Sequence, residues 1–316
     1  MDSGIRERQT LVSCRARRRG LRPRFVSGFL CAAALAACGN ASDHDALPMS
    51  ERAEPLEVAR VVSLVPSLAE LLVSIGAGDL IVARTDYDSH PALLTLPSVG
   101  GGLDPNLEAL VDLDVDVVLM PEGREMPELA ARLGDLGISA VGFRTETVVD
   151  LYDSIDRLGA LVGREAAAQM LADDISASLR EVELRVADEP AVSVMYVIWS
   201  DPPMTTAAGS YVDDLITIAG GRNVFADAPG RWPNVGYESI VQRNPTFLVW
   251  PRSSTSDVTL DVIQQLPGWR DLEAVQLGRV VFVDSDRFNR PGPDLGVAAR
   301  DLASALHPDV FSGMKP

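Results

Sequence analysis

The segment Glu108-Ala-Leu-Val-Asp-Leu-Asp-Val-Asp-Val-Val-Leu-Met-Pro121 aligns without gaps on Glu238-Ser-Ile-Val-Gln-Arg-Asn-Pro-Thr-Phe-Leu-Val-Trp-Pro251. Each copy reads as a glutamate, a short helix, a polar loop, an apolar run suited to a strand buried on both faces, and a proline. A strand of that kind needs cover on both sides, so one copy cannot bury itself. Two widely separated copies restrict the chain to a duplicated architecture with one copy in each of two similar α/β lobes.

The flanks agree. Short apolar runs at Val61 to Leu64, Leu80 to Ala83, Val115 to Met120 and Ala140 to Phe143 alternate with helical stretches at Pro66 to Ile75, Leu107 to Leu113 and Pro127 to Leu136. This is the signature of parallel βαβ units. In the first helix Ser67 stands as N-cap with Glu70 three residues on, the spacing of a capping box. Alternation resumes with strands at Val192 to Trp199, Phe247 to Trp250 and Val280 to Asp284, and helices at Tyr211 to Ala219, Glu238 to Arg243 and Pro293 to Leu306. Between the halves, Val148 to Val162 and Arg164 to about Val186 keep helical spacing. The second stretch spans about 30 Å, enough to brace both lobes. The expected fold is therefore two α/β lobes with parallel-type sheets, residues 58–146 and 189–316, joined through a helical segment, 147–188. That segment contains one long rigid helix, and a ligand cleft lies between the lobes.

Ahead of the fold lies a different composition. Residues 1–37 carry eight arginines against Asp2 and Glu7, a net +6, so with −17 overall the remainder carries −23. The basic stretch leads into an apolar run, Phe25 to Ala37, of signal-peptide length and too short to span a bilayer. It ends in Leu35-Ala36-Ala37-Cys38-Gly39, which resembles a bacterial lipoprotein signal. Acyl chains on Cys38 would hold the domain at a membrane surface, periplasmic or on the cell exterior, with the small, polar and acidic residues 38–57 as a tether. All three cysteines (Cys14, Cys31, Cys38) precede the lobes, so the fold has neither a disulfide nor a cysteine metal site.

The acidic surface argues against nucleic acid, whose phosphates need Lys and Arg. It favours an electropositive partner. Enzyme classes find no support. After the leader there are only His44, His90 and His307, with no pair at metal spacing and no Gly-x-Ser-x-Gly elbow. Gly100-Gly101-Gly102 lacks the ending of a phosphate loop. His90 could ligate a metal-bearing macrocycle, but its place before Pro91 better suits a solvated loop. Trp250 and Trp269 read as core.

Two segments carry a resemblance: Gly220-Gly221-Arg-Asn-Val-Phe225 with Arg231-Trp232-Pro233-Asn-Val-Gly-Tyr-Glu238, and Ser285-Asp286-Arg-Phe-Asn-Arg290-Pro-Gly-Pro293. With Asp86-Tyr87 and Asn106-Leu-Glu108, the chain resembles the periplasmic binding proteins of iron-complex and cobalamin ABC importers over nearly all of Val58 to His307. The likeness is greatest to the members that bind vitamin B12. It implies a binding protein, not an enzyme, that captures a cobalamin-type corrinoid and needs no catalytic cofactor. Trp232 would pack on the ligand face and Asp286 and Arg290 would bond its rim. Glu108 and Glu238, one per lobe, would pair with permease arginines, the ATPase acting beneath. Those glutamates are the ones the internal repeat places at equivalent positions, although acids also suit the first turn of any helix. A monomer is expected. The chain departs from the pattern where first-lobe aromatics would stand, near Val99 to Gly102 and Met120 to Arg124. Tyr87 remains there, and Tyr196, Trp199, Tyr211 or Phe288 could supply other rings. Haem or a ferric siderophore thus stays open as ligand, and so does a receptor that senses the ligand for a signalling partner.

Overall fold

The computed structural model describes residues 58–122, 126–253 and 255–312. The leader, Cys38 and the tether lie outside the described residues. The chain runs β1 (Val61–Ser63), α1 (Pro66–Ser74), β2 (Ile81–Ala83), α2 (Leu107–Asp112), β3 (Val117–Pro121), α3 (Pro127–Asp135), β4 (Ser139–Phe143), α4 (Val148–Val162) and α5 (Glu165–Val186). It continues through β5 (Val192–Tyr196), β6 (Trp199–Ser200), β7 (Pro203–Met204), α6 (Tyr211–Ile218), β8 (Gly221–Asn223), α7 (Tyr237–Arg243), β9 (Phe247–Arg252), α8 (Leu260–Ile263), α9 (Glu273–Gln276), β10 (Val280–Asp284), α10 (Ser285–Phe288), α11 (Leu295–Leu306) and α12 (Pro308–Phe311).

Two four-stranded parallel sheets result, ordered β2-β1-β3-β4 and β10-β9-β5-β8. Matching β1 to β5, β2 to β8, β3 to β9 and β4 to β10 makes the two orders the same. The duplication extends to single residues. From 107 to 116 and from 237 to 246 the sequence of buried, half-buried and exposed positions is identical. Asp114 and Asn244, at matching places after α2 and α7, are the non-glycine residues with positive φ among those described (46° and 41°). Asp and Asn tolerate that left-handed geometry because their short polar side chains can bond locally.

Strand periodicity divides the core. Val61, Val117 and Leu119 face one way and Val62, Val118 and Met120 the other, while in the second sheet Val194, Tyr196 and Val249 oppose Met195, Leu248 and Trp250. The inward sets join one continuous core through the 22-residue α5, whose buried stripe is Ala168, Ala172, Ile175, Leu179, Val182 and Val186. Steps of three and four residues keep this stripe on one side of the helix. Gly159 of α4 lets α5 close in, since a Cβ there would lie 2.5 Å from that of Ala168. The outward sets are covered separately, and Trp250 and Trp269 (6% and 1% exposed) pack edge-on at 4.9 Å in the second lobe.

Several local expectations change. Val65, not Ser67, is the N-cap of α1, because Pro66 fits N1 with its preset φ and missing N–H. Glu70 makes no capping box and reaches elsewhere. The strand expected from Val192 to Trp199 ends at Tyr196, and Trp199–Ser200 turns into an antiparallel pair with Pro203–Met204. The last long helix begins at Leu295, after the Pro291-Gly292-Pro293 turn. Strand β8 has no apolar side chain to announce it. Gly221 serves its close approach, where a Cβ would lie 2.8 Å from Ile216.

Candidate functional site

In each parallel sheet the loops after the strands' carboxyl ends gather on one edge, where ligands of open α/β folds bind. A cavity of about 290 Å³ opens there between the lobes. Its walls are the start of α1 (Val65, Pro66, Ser67), Glu146 after β4, Tyr211 at the start of α6, Trp232 and the Asn289–Pro291 segment. A second cavity of about 320 Å³ adjoins it, lined among others by Glu70, Ser89, His90, Asp286 and Arg287. Arg290 belongs to both walls.

Trp232 is held on a loop pinned at both sides. The amide of Ala207 donates to the carbonyl of Arg231 (2.8 Å) and that of Thr205 to the carbonyl of Pro233 (3.1 Å). The indole is half-buried, edge-on to Tyr211 at 6.0 Å. Arg231 secures the same loop across the cleft, its Nε donating to Gly209 O (2.8 Å) and its Nη1 lying 3.7 Å from Glu146 Oε2. Tyr196 ties β5 to the cleft floor by donating to Asn289 Oδ1 (2.9 Å). Burial pushes the Tyr196 and Tyr211 phenols above their usual range, so both remain protonated donors.

Arg290 is the most heavily bonded group of the site. Its Nη1 donates to Glu70 Oε1 and Ser89 Oγ (both 3.3 Å), and its Nη2 to Tyr87 O (3.2 Å) and Asp286 Oδ1 (3.0 Å). Three of those acceptors belong to the first lobe and Asp286 to the second. Burial pushes the Glu70 carboxyl up, and the Arg290 charge only partly opposes this.

The structure thus brings Trp232, Asp286, Arg290 and the backbone of Tyr87 to one cleft. The Tyr87 ring is 65% exposed at the rim, beside Gly101. The glycine run serves close approach, since a Cβ on Gly102 would lie 2.5 Å from Leu64 O. Trp199 is 63% exposed on the β6–β7 hairpin, donates to Asp201 O, and lines neither cavity. Of the other rings, Tyr211 lines the cleft, whereas Tyr196 and Phe288 are core residues, each 1% exposed. Glu108 and Glu238 are exposed in the first turns of α2 and α7. His90 Nδ1 accepts from the Ala92 amide (3.2 Å), so that nitrogen is engaged within its own loop. No cluster of three metal-ligating side chains occurs among the described residues. Glu70, read from the sequence only as a capping-box residue, and Glu146 and Asn289, which sequence reasoning did not single out, are cleft residues. Helical spacing could have set Glu70 on the inner face of α1, but not opposite an arginine far along the chain.

The periplasmic binding protein family profile matches residues 61–287. An uncharacterised ABC transporter substrate-binding lipoprotein of Bacillus subtilis is 27% identical over 305 residues, covering 89% of this chain and 96% of that one. A vitamin B12-binding protein of Vibrio cholerae is 26% identical over 76% of this chain and 86% of its own. The crystal structure of the periplasmic vitamin B12-binding protein of that species superposes with a TM-score of 0.68 at 25% identity, covering 81% of this chain and 99% of that chain. A periplasmic haem-binding protein of Roseiflexus sp. RS-1 shares the fold at a TM-score of 0.71 and 22% identity, covering 79% and 98%.

Proposed function

Because the chain belongs to the periplasmic binding protein family, as a solute-binding protein of the ABC importers for iron complexes and vitamin B12, we propose that its ligand is a cobalamin-type corrinoid held between the lobes. The observation that carries this reading is the doubly pinned Trp232 loop, which lines one cavity with Asn289 and Arg290. An indole fixed at an edge offers a flat apolar contact at little conformational cost. Asn289 and Asp286 offer hydrogen bonds to the amide-bearing rim of a corrin. The vitamin B12-binding relatives support the same ligand. Asp286 and Tyr87 would contact the rim, and Trp199, which lines neither cavity, would touch only a ligand that extends beyond them.

In this reading Glu108 and Glu238 register the two lobes on permease arginines, and acyl chains on Cys38 keep the protein at the membrane. The name of the Bacillus relative, a lipoprotein, supports the anchor. Among the described residues no helix is long and apolar enough to cross a membrane.

Trp232→Ala tests the ligand site. Loss of a stacked indole costs about 2 kcal/mol, roughly thirtyfold in Kd. The expected result is that loss for cyanocobalamin, with a melting temperature within a few degrees of the parent. Unchanged affinity would remove Trp232 from the ligand contacts.

A further inference from the structure

We propose that Glu70 is a charge-selectivity determinant of the cleft: reaching from the first lobe, it occupies and neutralises Arg290, so that the cleft takes ligands with an uncharged, hydrogen-bonding rim and disfavours anionic ones. The inference deepens the corrinoid reading and rests on it for the ligand class. A guanidinium has four terminal N–H donors and one on Nε. Here Glu70, Ser89, Tyr87 O and Asp286 use all four terminal donors. The paired N–H fork that recognises a carboxylate is therefore taken.

The surrounding charges agree. Arg231 faces Glu146, and Arg287 faces Asp294 and Asp301. Every arginine lining the two cavities or flanking Trp232 already has a carboxylate. Arg287 and Arg290 each have two, leaving negative charge in excess where a ligand carboxylate would have to sit. Both members of the Glu70–Arg290 pair are shielded, with side chains 18% and 20% exposed, so screening by salt is incomplete. Gly292 leaves room for the carboxylate, since a Cβ there would lie 3.3 Å from Glu70 Oε2.

Glu70→Gln keeps the shape and removes the charge. A carboxyl whose folded pKa is raised contributes stability below its unfolded pKa and loses it as pH rises through the folded value. The amide copies the protonated form, so the variant should fold at neutral pH. The test measures binding by the full chain in detergent, for parent and variant, of two ligand pairs that differ only in charge. These are cyanocobalamin with its side-chain monocarboxylate, and haem dimethyl ester with haem. In whichever pair binds, the parent should prefer the uncharged member, and Glu70→Gln should cut that preference by about tenfold, the effect of one nearby partly screened charge. An equal preference in both proteins overturns the proposal. Binding of the haem pair alone would sink the corrinoid reading while still deciding the role of Glu70. If neither pair binds, arginine labelling with phenylglyoxal decides. Arg290 should react about tenfold more slowly than the exposed Arg132 in the parent and gain reactivity in Glu70→Gln. Equal rates for the two arginines would refute the sequestration.

Discussion

Reversing charge at both Glu108 and Glu238 is expected to abolish ligand uptake by cells while leaving the Kd of the purified protein unchanged. Both glutamates are exposed, at matching positions of a repeat whose burial pattern is the same in each lobe. They lie in α2 and α7, outside the walls of the two cavities. Within the fold each acts only on its own helix start, where reversal costs about 0.3–1 kcal/mol. Against permease arginines the same change turns attraction into like-charge contact, which costs several kcal/mol and slows encounter. Loss of transport of about a hundredfold with an intact melting profile would therefore separate docking from helix capping. Uptake that persists would take the docking role away from these two glutamates.

Val182→Asp is expected to remove a large part of the protein's stability. Val182 is 0% exposed in α5, within the core that runs from the first sheet to the second. An unpaired carboxylate there costs at least about 4 kcal/mol, a large part of the stability of most domains. Two residues on, Leu184 points to solvent at 60% exposure. Leu184→Asp should shift stability by no more than about 0.5 kcal/mol. Denaturant midpoints of the two variants check the contrast. Because one core joins both lobes, the parent should unfold in a single transition. Two separated transitions, or equal effects of the two variants, would contradict the role given to α5.

What was legible in the sequence follows from what each element must bury. Central parallel strands such as β3 and β9 are covered on both faces, so Val117 to Met120 and Phe247 to Trp250 stand out as apolar runs. The stripe of α5 shows for the same reason. Strand β8 was invisible because Gly221-Arg222-Asn223 pairs through its backbone at a sheet edge, with little apolar surface to bury. The end of β5 was missed because Val197 and Ile198 continue the apolar run after the backbone has turned away. In the site, Trp232, Asp286 and Arg290 could be named through resemblance. The Glu70–Arg290 pair could not, since nothing in local periodicity couples a helix in one lobe to a loop in the other. Aromatic identity also fails to give direction, as Tyr211 lines the cleft while Tyr196 lies in the core.

The most direct measurement is calorimetric titration of the chain beginning after Cys38 with cyanocobalamin, cobinamide, haem and one ferric siderophore. Tight one-to-one binding of the corrinoids is expected, with haem and the siderophore much weaker. Binding of haem or the siderophore in their place would keep the transport class and the fold, and would contradict the ligand.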